Sequence, residues 1–193
     1  YDDTQKVGVP RFGKREAKNL PATRLMYIPF LVRDHGEQKH HYIYTMKGMF
    51  KKGANRFLSQ MYYLIRRIKK DPTHPSHSAR RLVCVADNYI AENKNNTIFA
   101  FFSDLVLHGW FDEVILLFGP VGHTHNGIDQ SHNTHNNKVC ANIAVDLGHL
   151  LSHYPSAWTE AQDRPEPSLL TEVFDWVKFY DGFVSKVTGF KTS

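Results

Sequence analysis

Two stretches decide the fold: Arg81-Leu-Val-Cys-Val-Ala86-Asp87-Asn88 and Glu113-Val-Ile-Leu-Leu-Phe118-Gly-Pro-Val-Gly122. Each is a short unbroken apolar run with charge in front and turn-forming residues behind. Runs this short fit strands buried on both faces better than helices, which need more residues. Between them, Ile98, Phe99, Phe102, Leu105 and Val106 share one helical face over about Asn95 to His108, and Gly109 supplies the stop. The order is therefore strand, helix, strand.

Upstream, Ala54 to Lys70 places Phe57, Leu58, Met61, Tyr62, Ile65 and Ile68 at three- and four-residue spacing, which predicts an amphipathic helix. It ends in Arg66, Arg67, Lys69 and Lys70, cations that suit a helix C-terminus. Before it, Arg24-Leu-Met-Tyr-Ile-Pro-Phe-Leu-Val32 and His40-His-Tyr-Ile-Tyr-Thr-Met46 flank the turn residues Asp34-His-Gly-Glu37, a hairpin pattern, with Pro29 marking an edge or bulge. A further strand is expected near residue 2, with loop from there to about Ala22. Asp71 to Ser78 reads as a surface loop. Downstream, a helix begins near Asn126 or Gly127 and runs toward His149. A Pro-rich linker follows from Tyr154 to Pro167, then a last helix from Ser168 to Tyr180 with Ser168 as N-cap. The expectation is a core over 1–153 and a C-terminal helical extension over 154–193 packed on it. An antiparallel meander followed by alternating strands and helices predicts an α/β domain with a mixed sheet.

Composition narrows the function classes. The chain has 193 residues, 24 Lys and Arg against 19 Asp and Glu for a net charge of +5, and 12 histidines. Hydrophobic residues at 41% argue for a packed core. The 2 cysteines, Cys84 and Cys140, exclude a disulfide framework or a four-cysteine zinc module. Cys84 lies within a strand and Cys140 on a helix, both expected to be packing residues, like the three tryptophans. No apolar run reaches the ~18 residues of a membrane span. No P-loop, G-x-G-x-x-G or G-x-S-x-G element is present, which argues against nucleotide kinases, dinucleotide enzymes and α/β-hydrolases. The start, Tyr1-Asp2-Asp3-Thr4, reads as a piece cut from a longer protein.

In open α/β sheets the site lies where strands end and connections diverge. The first apolar run ends in Asp87-Asn-Tyr-Ile-Ala-Glu92-Asn93-Lys94-Asn95, the second in Gly122-His123-Thr-His125-Asn-Gly-Ile-Asp129-Gln130. If the strands are parallel neighbours, both segments share one rim. An Asp after a strand holds a metal ion or merely caps a turn. His125, Asp129 and His132 at i, i+4 and i+7 line one helical face, a ligand pattern or a polar helix start. His132, Asn133, His135, Asn136 and Asn137 read as polar helix surface, or as packing against a ligand. The Arg66–Lys70 cluster contacts phosphates or is simply a solvated face.

These two segments resemble an uncharacterised domain of eukaryotic transposon-derived proteins, which carries D-N-x-x-x-E-N-K-N after one strand and G-H-T-H-x-x-x-D-Q after the next. Asp2, Gln5 and Pro10 also fit that family's D-x-x-Q-x-x-x-x-P opening. The resemblance runs from Asp2 to about Val139. It looks like a ribonuclease-H-like transposase or integrase core, a three-layer α/β/α fold on a mixed five-stranded sheet. It implies a triad of acids, Asp2 (or its neighbour Asp3), Asp87 and Asp129, joined by His125 as metal ligands. They would hold two Mg²⁺ or Mn²⁺ ions ~3.5–4 Å apart for DNA cleavage or strand transfer. Zn²⁺ is the alternative at the histidine cluster. Glu92, Asn93, His123 and His125 would position substrate, and Arg66, Arg67, Lys69, Lys70 and Lys94 would bind nucleic acid. DNA, a second copy of the chain and a nuclear location follow from the same resemblance. The second expectation is a host-captured domain that binds DNA without cutting it. A third is a dinuclear metallophosphoesterase, since Gly122-His-Thr-His125 resembles that superfamily's last motif. The chain lacks its D-x-H, G-D-x-x-D and G-N-H elements.

Overall fold

A computed structural model describes residues 7–12, 24–49, 53–86, 95–118, 127–158 and 164–183, with the side chains of Phe12, Ala86 and 127–130 excepted. The protein is a mixed α/β protein that divides into two compact units. One comprises Tyr1–Phe50 with His125–Thr171, the other Lys51–Thr124 with Glu172–Ser193.

The first unit is built on a four-stranded mixed sheet. Its strands are β1 (Val7–Val9), β3 (Leu25–Asp34), β4 (Lys39–Met46) and β8 (Glu166–Leu169), in the order β1-β3-β4-β8. A two-residue strand, β2 (Arg11–Phe12), pairs separately with β7 (Ile143–Ala144). The predicted hairpin forms: β3 and β4 are antiparallel from Tyr27↔Met46 to Asp34↔Lys39. Its turn is fastened by Asp34, whose Oδ1 accepts from the backbone N–H of Gly36 at 2.7 Å. With β1 antiparallel to β3 the three strands make a meander, but β1 and β2 lie in the stretch expected to be loop, where Val7, Val9 and Phe12 supply the strand-favouring residues. Pro29 lies beyond the last β1 pair, Val7↔Tyr27, so its missing N–H removes no described bond on that side. A strand near residue 2 lies outside the described residues.

Behind this sheet run α3 (Gly127–Thr134), a π-helical turn (His135–Val139), α4 (Leu147–Leu151) and α5 (Tyr154–Ala157). The helix expected to start at Gly127 does so, but it widens at His135, where the N–H of Cys140 bonds the carbonyl of His135 at 2.9 Å. Tyr42 and Tyr44 of β4 pack with Val139, Cys140, Leu150, Tyr154 and Trp158 to make the core.

The C-terminal expectation needs correction. Ser168 does not cap a helix: Glu166–Leu169 form β8, parallel to β4 from His41↔Glu166 to Tyr44↔Leu169. The N–H of Leu170 extends the ladder to the Tyr44 carbonyl at 2.8 Å. An available strand edge outweighs the local helix signal of Ser168. The last described helix is α6 (Trp176–Tyr180), capped by Asp175, which accepts from the Lys178 N–H at 3.1 Å.

The second unit carries α1 (Ala54–Lys70), β5 (Arg81–Ala86), α2 (Asn96–Leu107) and β6 (Glu113–Phe118), besides α6. Both strands fall where the apolar runs place them and are parallel, in register from Arg81↔Glu113 to Ala86↔Phe118. Asn95 caps α2, accepting from the Ile98 N–H at 3.1 Å, and Gly109 follows it at φ 69°. Leu58, Leu64, Ile65, Phe101, Phe102 and Leu105 are buried. Trp176 meets Phe101 edge-on at 4.9 Å, and its indole N–H donates to the Ser59 hydroxyl at 3.0 Å.

The strands are not buried on both faces as expected. Val83, Val85 and Leu117 are 49%, 71% and 49% exposed, while Leu82, Cys84, Val114 and Leu116 on the other face are half-buried. Side chains alternate along a strand, so an apolar run can present half its residues to solvent. Cys84 belongs to the covered face, and burial pushes its thiol up to about 12.

Candidate functional site

Parallel pairing makes the chain leave β5 and β6 at the same end, because Ala86 faces Phe118 across the ladder. Asp87 is bonded directly to Ala86, and the Gly122-His-Thr-His125 segment follows Phe118 by a few residues. This is the strand-end position at which open α/β proteins collect their ligands. Asp2, Asp3, Asp87, Glu92, Asn93, Lys94, His123 and His125 lie outside the described residues. Asp129 occupies the first turn of α3.

The histidines further along α3 do not form a polar surface. His135 is fully buried. Its Nδ1 lies 3.3 Å from the Asn136 Oδ1. Its Nε2 shares a hydrogen bond of 2.6 Å with the Tyr44 hydroxyl. The Tyr44 hydroxyl in turn shares one with the Tyr154 hydroxyl, also at 2.6 Å. Tyr42 stacks on the His135 ring at 5.0 Å and meets His132 edge-on at 5.7 Å. Cys140 Sγ lies 3.6 Å from the His135 Nδ1.

Burial dominates the electrostatics of this cluster. It lowers His135 to about 4, with nearby His132 and Arg11 pushing the same way and the Asn136 bond opposing. Burial raises Cys140 to about 11 and holds Tyr42, Tyr44 and Tyr154 above the ordinary phenol range. At neutral pH the imidazole, thiol and phenols are therefore all uncharged. The cluster is a fixed polar core, not a nucleophile beside a base.

The basic cluster divides in two. Arg66 and Lys70 are exposed on α1, one helical turn apart. Arg67 is half-buried. Lys69 is committed internally: its Nζ donates to the carbonyls of His77 at 3.2 Å and Ala79 at 2.5 Å and lies 4.3 Å from the Phe111 ring centre. Burial first, and Arg80 second, lower its pKa. Arg80 and Arg81, at the start of β5, pair with Asp112 and Glu113 at the start of β6.

Residue-type reasoning passes over Tyr44 and Tyr154. Tyr42-Ile-Tyr44 in a strand did signal two phenols on one face. The partner histidine, 91 residues away, left no local sign.

These features define a class: an α/β protein with a parallel strand pair, polar segments at its C-terminal end and exposed cations on the helix before it. The chain belongs to the DUF7869 family, a domain of unknown function whose family model matches residues 30–193. No curated protein and no solved structure matches the chain. Among the described residues no helix is long and apolar enough to cross a membrane.

Proposed function

We propose that this domain is a transposase- or integrase-like core that cleaves or joins DNA phosphodiesters with divalent metal. One observation carries the reading: β5 and β6 are parallel partners, and each is followed by an acid-bearing segment, Asp87 after the first and the Asp129 helix after the second. Apart from the two-residue β2, the order β1, β3, β4, α1, β5, α2, β6, α3 and its antiparallel opening support a ribonuclease-H-like reading, although among the described residues β5 and β6 pair apart from the four-stranded sheet.

The donor set fits the metal this reading needs. Asp2, Asp87 and Asp129 offer hard carboxylate oxygens suited to Mg²⁺ or Mn²⁺, and His125 adds an imidazole that Mn²⁺ or Zn²⁺ accepts. When bound, such ions activate a water or 3′-hydroxyl and stabilise the leaving oxygen. The chain's own part is positional. The three carboxylates and His125 hold the ions, and Glu92, Asn93 and His123 orient the phosphodiester. Arg66, Arg67, Lys70 and Lys94 draw the DNA backbone by charge, so binding weakens as salt rises. A nuclear location and self-association belong to the same proposal.

The test is cleavage or joining of labelled DNA by purified protein in Mn²⁺. Asp87→Ala and Asp129→Ala are each expected to reduce it to background, and Asn142→Ala to leave it intact. Full activity in Asp87→Ala would sink the assignment. Binding without cutting, in both the native chain and Asp87→Ala, would favour the captured, inactive domain.

A further inference from the structure

Lys69, Lys70, His77, Ser78, Arg80 and Trp110 line an open groove of about 560 Å³ in the second unit. We propose that this groove seats a single nucleic-acid strand, with a base against Trp110 and phosphates on Lys70 and Arg80. The proposal rests on the nucleic-acid reading above, but not on cleavage.

The groove lies at the other end of the strand pair from Asp87. Arg80 precedes β5 and Trp110 precedes β6, whereas Asp87 follows β5. A six-residue strand spans about 17–20 Å, so the groove lies about that far along the ladder from Ala86, to which Asp87 is bonded.

Its lining has the chemistry of a strand-binding surface. Lys70 is exposed and makes no ion pair among the described residues, and Arg66, one turn back on the same face, likewise makes none. The nearest acids are already committed. Asp71 Oδ1 accepts from the N–H of Thr73 at 2.9 Å and from its hydroxyl at 2.6 Å. Asp112 is taken by Arg80, whose Nε donates to it at 2.7 Å and whose Nη2 donates to its other oxygen. That fork holds the guanidinium plane still. A guanidinium has five N–H donors, so five minus two leaves three for a phosphate.

Lys69 plays a different part. Its bonds to the His77 and Ala79 carbonyls pin the segment that presents His77, Ser78 and Arg80. His77 lines the groove, but its Nδ1 is itself buried, so that atom is not offered to a strand. Trp110 is half-buried, backed by Tyr62 at 5.8 Å. An aromatic ring beside exposed cations is what strand-binding proteins use, because a base can stack on it only when unstacked from a duplex.

The experiment is a fluorescence-anisotropy titration of the full chain with labelled oligothymidylate at low salt, without divalent metal. Lys70→Glu and Trp110→Ala should each weaken binding about tenfold or more, and Trp110→Phe should retain most of it. Lys138→Glu, the same charge change at an exposed site outside the groove, should alter it by less than about twofold. Because Trp110 touches Tyr62, Lys70→Glu carries the test if Trp110→Ala unfolds. The seat is overturned by no binding, by equal losses in Lys70→Glu and Lys138→Glu, or by free dTMP competing as well as the oligonucleotide. Strand binding without Mn²⁺-dependent cutting would count against the cleavage reading alone.

Discussion

Two histidines, one in each unit, are treated in opposite ways. In the first, His135 is sealed between Tyr44 and Asn136, and its polar atoms are matched by neighbours. In the second, His77 lines an open groove beside Lys70 and Arg80, and its buried Nδ1 finds no partner among the described residues. A closed polar chain contributes stability and is inert. The groove keeps its open hydrogen-bonding capacity elsewhere, in the Lys70 ammonium and the Arg80 donors that Asp112 does not take. Histidine content, the most conspicuous feature of the sequence, is therefore no guide to function until burial sorts it.

The sharpest way to break this contrast is pH. His135 is lowered to about 4 in the fold from an ordinary 6.5. Below 6.5 the unfolded chain binds a proton that the folded chain refuses, so the unfolded state gains as pH falls. The stabilising contribution is fully present above 6.5 and is lost progressively as pH falls toward 4. A shift of that size corresponds to a few kcal/mol, on the order of 3. Urea unfolding of His135→Gln should show a flatter dependence between pH 4 and 6.5 than the native chain. An unaltered slope would mean that His135 is not sealed.

A smaller effect tests whether the phenols complete the chain. Tyr44→Phe keeps the ring but leaves both the His135 Nε2 and the Tyr154 hydroxyl without their Tyr44 partner. Unmet buried groups of this kind cost about 1–3 kcal/mol. The loss should be measurable by urea unfolding at neutral pH, and Tyr154→Phe should cost less because only one bond is broken. Equal stability in Tyr44→Phe and the native chain would dissolve the network.

How far these features were legible depended on whether their cause was local. The bounds of α1 and the starts of β5 and β6 follow from the sequence to the residue, because periodicity, caps and breakers lie inside or beside each segment, as Asn95 and Gly109 also bound α2. Ser168 misled because its N-cap signal is local, while the exposed edge of β4 that claims it lies over a hundred residues upstream. His135 misled for the same reason, as its polarity is written in the chain but its burial is decided by Tyr44 on β4. The apolar runs of β5 and β6 identified strands correctly and overstated their covering, since a run states what each face can bury and not what arrives to cover it. At the candidate site, the order of acid-bearing segments and the shared strand end were legible, and the groove was not. Its lining comes from three separate stretches: the end of α1, the 77–80 segment and Trp110.

The smallest predicted difference is also the most local. Lys69 and Lys70 are adjacent and chemically identical, and a sequence reading assigned both to nucleic acid. Lys69 is spent on two carbonyls, whereas Lys70 is exposed and free of ion pairs among the described residues. Lys69→Met should therefore lower stability by about 1 kcal/mol through the lost hydrogen bonds, and affect strand binding only by loosening the 77–80 segment. Lys70→Met should leave stability within about 0.5 kcal/mol and act on binding directly. Paired unfolding and anisotropy curves separate the two. If Lys70→Met destabilises as much as Lys69→Met, the difference between a cation that builds the groove and one that serves it is lost.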